Sequence, residues 1–299
     1  MVYGQPALAT TINIRTKVRS KTNGVDKFRA VSEGIGRIEG KIKKEKEELK
    51  VKDRSGDLEK LNFVTKATEI TLNYLEESSG IDLEIESKLP SGSGLGSSSA
   101  VTTATIASVA LAVGERLSRE EISELAYKTE VAIQGAASRT GVNVASHGGF
   151  LKVQGDKIKK IQNAPELKIV IGYSGEYGNT GELVSKVKEL KKSRPQIIEP
   201  IIETIGACTE SGIDSLRKSD IQKIGTLMNA NQNLLEGLRV SSPKLRDLIN
   251  SARGAGAIGA KLTGSGGGGC MIALGSNKIN KISEAIENSD GEPIETKSG

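Results

Sequence analysis

The apolar positions of this chain switch repeatedly between a period of two and a period near 3.6, and each switch marks an element. Residues 11–19 alternate, with Ile12, Ile14 and Val18 on one side and Asn13, Arg15 and Arg19 on the other, which predicts a strand. Over residues 61–75, Phe63, Ala67, Ile70, Leu72 and Leu75 build one face of a helix. Residues 81–89 alternate again as a strand. A small, apolar run over 100–114 then reads as a buried helix, with no charged residue between Lys88 and Glu115. Ser118-Arg119-Glu120-Glu121 is a capping box that opens a helix to about residue 134, with Ile122, Ala126 and Ile133 as its buried stripe.

Further on, residues 150–153 and 167–173 read as strands, and Asn179 to Val184 opens a helix. Amphipathic helices are expected near residues 196–217 and 221–235. Another begins at Ser242-Pro243 and runs to about residue 253. An alternating strand before Thr263 and an apolar one over 270–274 flank a run of glycines. Residues 21–60 are polar, with a Lys/Glu-dense run at 41–50. The alternating signs predict a solvated hairpin or loop rather than a basic patch.

Composition narrows the function classes. A chain of 299 residues buries a large core in one big domain or two smaller ones. A net charge of +5 and a pI near 9.0 suit anionic nucleotide and acid substrates. Nucleic acid is disfavoured, because Lys and Arg are interspersed with Glu and aromatics make up only 3%. Cys208 and Cys270 form neither a disulfide framework nor a metal spacing and read as small buried hydrophobes in a reducing compartment. The longest apolar run is shorter than the ~20 residues of a spanning helix, and no signal peptide is visible, so a cytoplasmic protein off the membrane is expected.

The candidate chemistry centres on Pro90-Ser91-Gly92-Ser93-Gly94-Leu95-Gly96-Ser97-Ser98-Ser99. Glycines let the backbone turn tightly and approach a ligand, and the serines open a helix whose first N–H groups lack partners within the chain. Such a junction cradles phosphate. It is neither a P-loop nor a dinucleotide fingerprint, and on pattern alone a Gly/Ser turn capping a buried helix is the plainer reading. Two more stretches stand out: 135–149, rich in small residues and ending in Gly148-Gly149, and Gly264-Ser265-Gly266-Gly267, whose glycine run sits between core strands as a backbone cradle rather than a linker.

The segment from Pro90 to Ser98 resembles the phosphate loop of the GHMP kinase superfamily, and residues 2–9, 130–149 and 229–274 resemble, in the same order, segments of the archaeal mevalonate kinases. The resemblance implies an α+β fold of two domains: a ribosomal protein S5 domain 2-like N-terminal domain over 1–164 and a ferredoxin-like C-terminal domain over 165–299. It implies ATP-dependent phosphorylation of mevalonate, with Pro90 through Ser99 binding ATP, Gly264 to Gly267 shaping the substrate and phosphate loop, and a homodimeric enzyme. Glu130, five residues before Gly135, matches the family's Mg²⁺-binding glutamate, and Ser98 its hydroxyl partner. On spacing alone, Glu130 is an edge-of-stripe glutamate whose head reaches water.

Two departures bear on activity. The family has an aspartate facing the substrate hydroxyl where this chain has Gly141, and no Asp or Glu lies between Glu130 and Asp156 to replace it. General-base help is worth roughly 10²–10⁴ in rate, so its loss implies a slow enzyme rather than an inert one. Arg139 is a candidate to neutralise transferred phosphate, equally readable as a loop arginine. In the family, the segment matching 2–9 follows a strand carrying a catalytic lysine. That strand is missing here, which we read as a late assignment of the start. A GHMP kinase acting on another small alcohol and a non-catalytic homologue stay open at this point. His147 reads as packing, and Lys261 as a surface or strand-end residue.

Overall fold

The structure, a computed structural model, describes residues 3–32, 36–43, 48–56, 58–87, 94–135, 137–155, 157–275 and 277–299. In chain order the elements are β1 (Ala7–Thr10), β2 (Thr16–Thr22), β3 (Lys27–Ser32), β4 (Gly36–Lys43), β5 (Glu48–Gly56), α1 (Leu58–Tyr74), β6 (Ile81–Ser87), α2 (Ser97–Ala112), α3 (Arg119–Gln134), α4 (Arg139–His147), β7 (Phe150–Gln154), β8 (Lys157–Ile161) and β9 (Lys168–Tyr173). They continue with α5 (Thr180–Ser193), α6 (Pro195–Arg217), α7 (Ile221–Gly237), α8 (Pro243–Gly254), β10 (Gly259–Leu262), β11 (Cys270–Leu274), α9 (Ile279–Glu287) and β12 (Glu292–Lys297). Two compact units result: Ile14–Leu89 with Gly96–His147, and Met1–Asn13 with Pro90–Leu95 and Gly148–Gly299. A single cut near residue 165 does not describe these units, because β7 and β8 pair with β1 and belong to the second.

The first unit is a five-stranded sheet, β2-β6-β3-β4-β5, in which only β3 and β6 run parallel. Alternate residues face one side, and there Phe28, Ala30, Ile38, Ile81, Leu83 and Ile85 pack with Leu61, Val64 and Leu72 of α1 and with Val101 and Val109 of α2. The buried hydroxyls of Thr65, Thr68 and Thr71 donate to the carbonyls four residues earlier, so α1 can sink its polar side chains without orphaned groups. A second cluster, Ala67, Ile106, Leu125, Ala126 and Val142, binds α1, α2, α3 and α4 together. The polar stretch of residues 21–60 forms the β3–β4–β5 meander, as the charge alternation suggests; part of its Lys/Glu run lies outside the described residues.

In the second unit the sheets β10-β11-β9-β12 and β1-β7-β8 are antiparallel throughout. Helices α5 to α9 cover the larger sheet through Val170, Leu245, Leu248, Met271, Ile282 and Ile286, among others. The strand expected over residues 11–19 is divided. Residues 7–10 pair with β7 and residues 16–22 with β6, while Ile12 makes only an isolated bridge to Ser298. Of the period-two run only the part from residue 16 onward joins a sheet, and alternation carries no information on which partner a strand takes. The segment 135–149 contains α4, not foreseen in the sequence. Among the described residues no helix is long and apolar enough to cross a membrane.

Candidate active site

Helix α2 begins with no side chain capping it. Its N-cap, Gly96, holds the left-handed conformation (φ 73°, ψ 30°), and no acidic residue occupies the first turn. The first-turn N–H groups and the positive end of the helix dipole are therefore left for something outside the helix. Ser97 and Ser98 are half-buried there, and Ser99 is buried. Gly94 is exposed, and in the second unit Leu95 packs against the cluster that includes Phe150, Ile171 and Cys270. Pro90, Ser91, Gly92 and Ser93 lie outside the described residues.

The first turn of α2 meets the last turn of α3 through one hydrogen bond. Ser99 Oγ donates to Glu130 Oε1 at 2.6 Å, and both residues are only 5% exposed. The serine that reaches Glu130 is thus Ser99. Burial pushes the Glu130 carboxyl above its ordinary pKa, and the Ser99 hydroxyl offsets part of that rise. The capping box read from the sequence closes the far end of α3: Ser118 Oγ accepts from Glu121 N–H, and Glu121 accepts from the Ser118 N–H at 2.8 Å. Its buried stripe is Ser123, Leu125, Ala126, Thr129 and Glu130, turned from the expected one, so that Ile122 and Ile133 are only half-buried. The water-reaching alternative for Glu130 fails with it.

Gly141 lies on α4 against the same hydroxyl. A methyl group at position 141 would stand 2.3 Å from Ser99 Oγ and 3.2 Å from Ser99 Cβ. Arg139, at the start of α4, is engaged by α3: its guanidinium pairs with Glu124 at 2.8 Å and lies 3.9 Å over the Tyr127 ring. Asn143, which sequence reasoning missed, is buried and ties the helices, accepting from Ser123 Oγ and donating to the Arg139 carbonyl. His147 bonds through Nδ1 to the Asn143 carbonyl and faces Glu120 at 3.4 Å, in keeping with a packing role.

The second glycine loop, in the other unit, is gripped from two directions. Gly267 N–H donates to the Val240 carbonyl at 2.7 Å, and a side chain at Gly266 would collide with that same carbonyl at 2.0 Å. From the other side, Gly269 N–H donates to the Glu176 carbonyl, Ser265 Oγ meets Thr180 Oγ1 at 2.8 Å, and Ser242 Oγ donates to Glu176. Gly264, Gly266 and Gly267 all have positive φ. This is a built cradle rather than a slack turn.

Helix α7 supports the strand that feeds it. Asn229 Oδ1 accepts from Ala260 N–H at 3.0 Å, and Gln232 Oε1 accepts from Leu262 N–H at 2.9 Å. The amides of the Asn229–Gln232 string serve the sheet edge. Lys261 is half-buried within β10, not a surface residue. Its Nζ donates to the Leu262 carbonyl, and burial pulls its pKa from 10.5 down to about 8.

Comparison with known proteins agrees with this anatomy. Residues 62–149 match the family described as GHMP kinases N terminal domain, and residues 213–292 match GHMP kinases C terminal. The mevalonate kinase of Pyrococcus horikoshii is 39% identical over 304 residues, covering 99% of this chain and 90% of that protein. That of Thermococcus sibiricus is 37% identical over 303 residues, covering 99% and 91%. The crystal structure of the Methanococcus jannaschii mevalonate kinase superposes with a TM-score of 0.85 at 26% identity, covering all of this chain and 93% of that one. The first matched segment spans α2, Glu130 and Gly141, and the second contains α7 and the gripped glycine loop. The chain belongs to the GHMP kinases, among the archaeal mevalonate kinases.

Proposed function

We propose that this chain transfers the γ-phosphoryl group of ATP to the primary hydroxyl of (R)-mevalonate, a step of isoprenoid biosynthesis. The P–O bond to the β-phosphate breaks, a P–O bond to the alcohol forms, and the hydroxyl proton is released. The observation that carries the reading is the uncapped start of α2 with a buried carboxylate brought to its first turn. Similarity to curated mevalonate kinases along nine-tenths of their length supports the acceptor.

Roles follow from chemistry. The N–H groups of α2 and the Pro90–Ser99 segment bind the triphosphate. Glu130 is buried with a neutral hydroxyl as its partner rather than a cation, which fits a residue that a divalent cation completes. Glu130 and Ser98 would hold Mg²⁺, which when bound neutralises charge on the phosphate oxygens. The loop Gly264–Gly267 offers its main chain to substrate or phosphate. Position 141 has no side chain to accept the alcohol proton, so rate enhancement rests on positioning and charge neutralisation, which dominate phosphoryl transfer in general. With Arg139 held by Glu124 and Tyr127, its part is to fix α4 against α3. The same reading includes a homodimer, measurable by light scattering.

The test is a coupled assay of the purified chain with MgATP and a panel of mevalonate, homoserine, galactose and phosphomevalonate. Turnover of mevalonate above the other alcohols is expected. Turnover of another acceptor in preference, or of none, overturns the proposal.

A further inference from the structure

We infer that Ser99 is a positioning residue for the Glu130 carboxylate, and that glycine at position 141 is the space its hydroxyl requires. Three helices converge on this one oxygen: α2 supplies it, α3 brings the carboxylate 2.6 Å away, and α4 passes its backbone so close that a Cβ would overlap it at 2.3 Å. Neither side chain is free to search, since each is 5% exposed. The Ser99 carbonyl is also engaged, accepting from Thr103 Oγ1 at 2.8 Å.

A serine in the first turn of a helix has an easier use for its hydroxyl, in bonding its own backbone or water. Here it donates to a carboxylate thirty-one residues away, across a buried contact. Removing the hydroxyl leaves Glu130 desolvated and free to rotate. Adding a methyl group at 141 pushes the hydroxyl off the carboxylate and produces the same loss by another route. The two positions are therefore one device, and the missing side chain at 141 is its geometric counterpart rather than an isolated deletion. The Cβ of an aspartate at 141 would displace the Ser99 hydroxyl in the same way. The inference rests on the reading of Glu130 as a metal ligand, because orienting a ligand is what such a hydrogen bond accomplishes in a metal site.

The experiment measures Mn²⁺ affinity by water-proton relaxation, with a non-hydrolysable ATP analogue present, well below the melting temperature of each variant. Ser99→Ala is expected to weaken Mn²⁺ binding by about 10-fold or more, and Gly141→Ala by a similar factor. Ser99→Ala/Gly141→Ala should bind no more weakly than Gly141→Ala alone, because the second substitution then meets only Ser99 Cβ at 3.2 Å. Glu130→Gln should lose at least as much as Ser99→Ala. If Gly141→Ala fails to fold while the double variant folds, the shared space is shown directly. Wild-type affinity in Ser99→Ala or in Glu130→Gln, or a double variant whose loss is the product of the two single losses, overturns the inference. Mevalonate turnover by the unmodified chain is scored separately, so failure of the proposed reaction leaves the Mn²⁺ series readable.

Discussion

Gln232, fully buried on α7, accepts the main-chain N–H of Leu262 at 2.9 Å, so a helix side chain takes the place of a missing strand at the outer edge of β10. Its amide nitrogen faces Glu236 at 2.9 Å and Ser241 at 3.2 Å. One residue thereby joins the strand entering the second glycine loop to the turn beside Val240, whose carbonyl receives the Gly267 N–H.

Gln232→Leu keeps the volume and removes every one of these bonds. It leaves the Leu262 N–H buried and unpaired, a cost of about 1–3 kcal/mol. The expected outcome is an unfolding free energy lowered by that amount, read as a lower urea midpoint, with partial restoration in Gln232→Glu/Glu236→Gln, which exchanges donor and acceptor across the pair. An unchanged midpoint in Gln232→Leu would mean that water replaces the amide at this edge.

Gly225, two turns earlier on α7, sets how closely that helix can approach. A Cβ there would lie 2.6 Å from the Ile258 carbonyl oxygen and 2.5 Å from Ile258 Cγ2, and one at Gly259 would lie 2.3 Å from the Gly225 carbonyl. Helix propensity favours Gly225→Ala by about 1 kcal/mol. The obstructing carbonyl is backbone and cannot swing aside, so overpacking of about 1–3 kcal/mol or more opposes that gain. Net destabilisation is expected, read as a lower melting temperature. A rise would show that α7 can lift off β10 at little cost.

Ser118→Ala tests the other unit. The cap is worth about 1 kcal/mol, and it lies at the opposite end of α3 from Glu130. Stability should fall by that amount while Mn²⁺ affinity stays at the wild-type level. A joint loss would mean that fraying at Ser118 reaches the last turn of the helix.

These contrasts also show what the sequence discloses. Ser118 through Glu121, Asn179 and Ser242-Pro243 were legible because capping is local: donor and acceptor lie three residues apart. The hydrogen bond from Ser99 to Glu130 was not, because only the rotation of α2 decides which of its first-turn serines faces α3. The burial of Asn143 and Gln232 was hidden likewise, since an amide on a helix face does not reveal whether solvent or a bare strand edge lies opposite. Lys261 misled most, as a lysine near a loop reads as exposed.

Lys261 gives the pH prediction. It occupies β10 opposite Ile272 of β11, so its side chain emerges on the face where Ile272 packs into the core. Burial lowers its pKa from 10.5 to about 8. The folded state therefore disfavours the charged form. Below pH 8 the ammonium is charged in both states, and the fold bears the full cost of sheltering it. Between pH 8 and 10.5 the folded chain releases that proton while the unfolded chain keeps it, so this contribution to stability rises with pH and levels off above 10.5. The full interval corresponds to about 3 kcal/mol, an upper value for a side chain that is only half-buried. Lys261→Met should accordingly be more stable than the parent at pH 7, with an advantage that shrinks steadily toward pH 10. Denaturant midpoints of the two proteins at pH 7, 8, 9 and 10 check this. A constant difference across the series would mean that the ammonium keeps its water in the folded state.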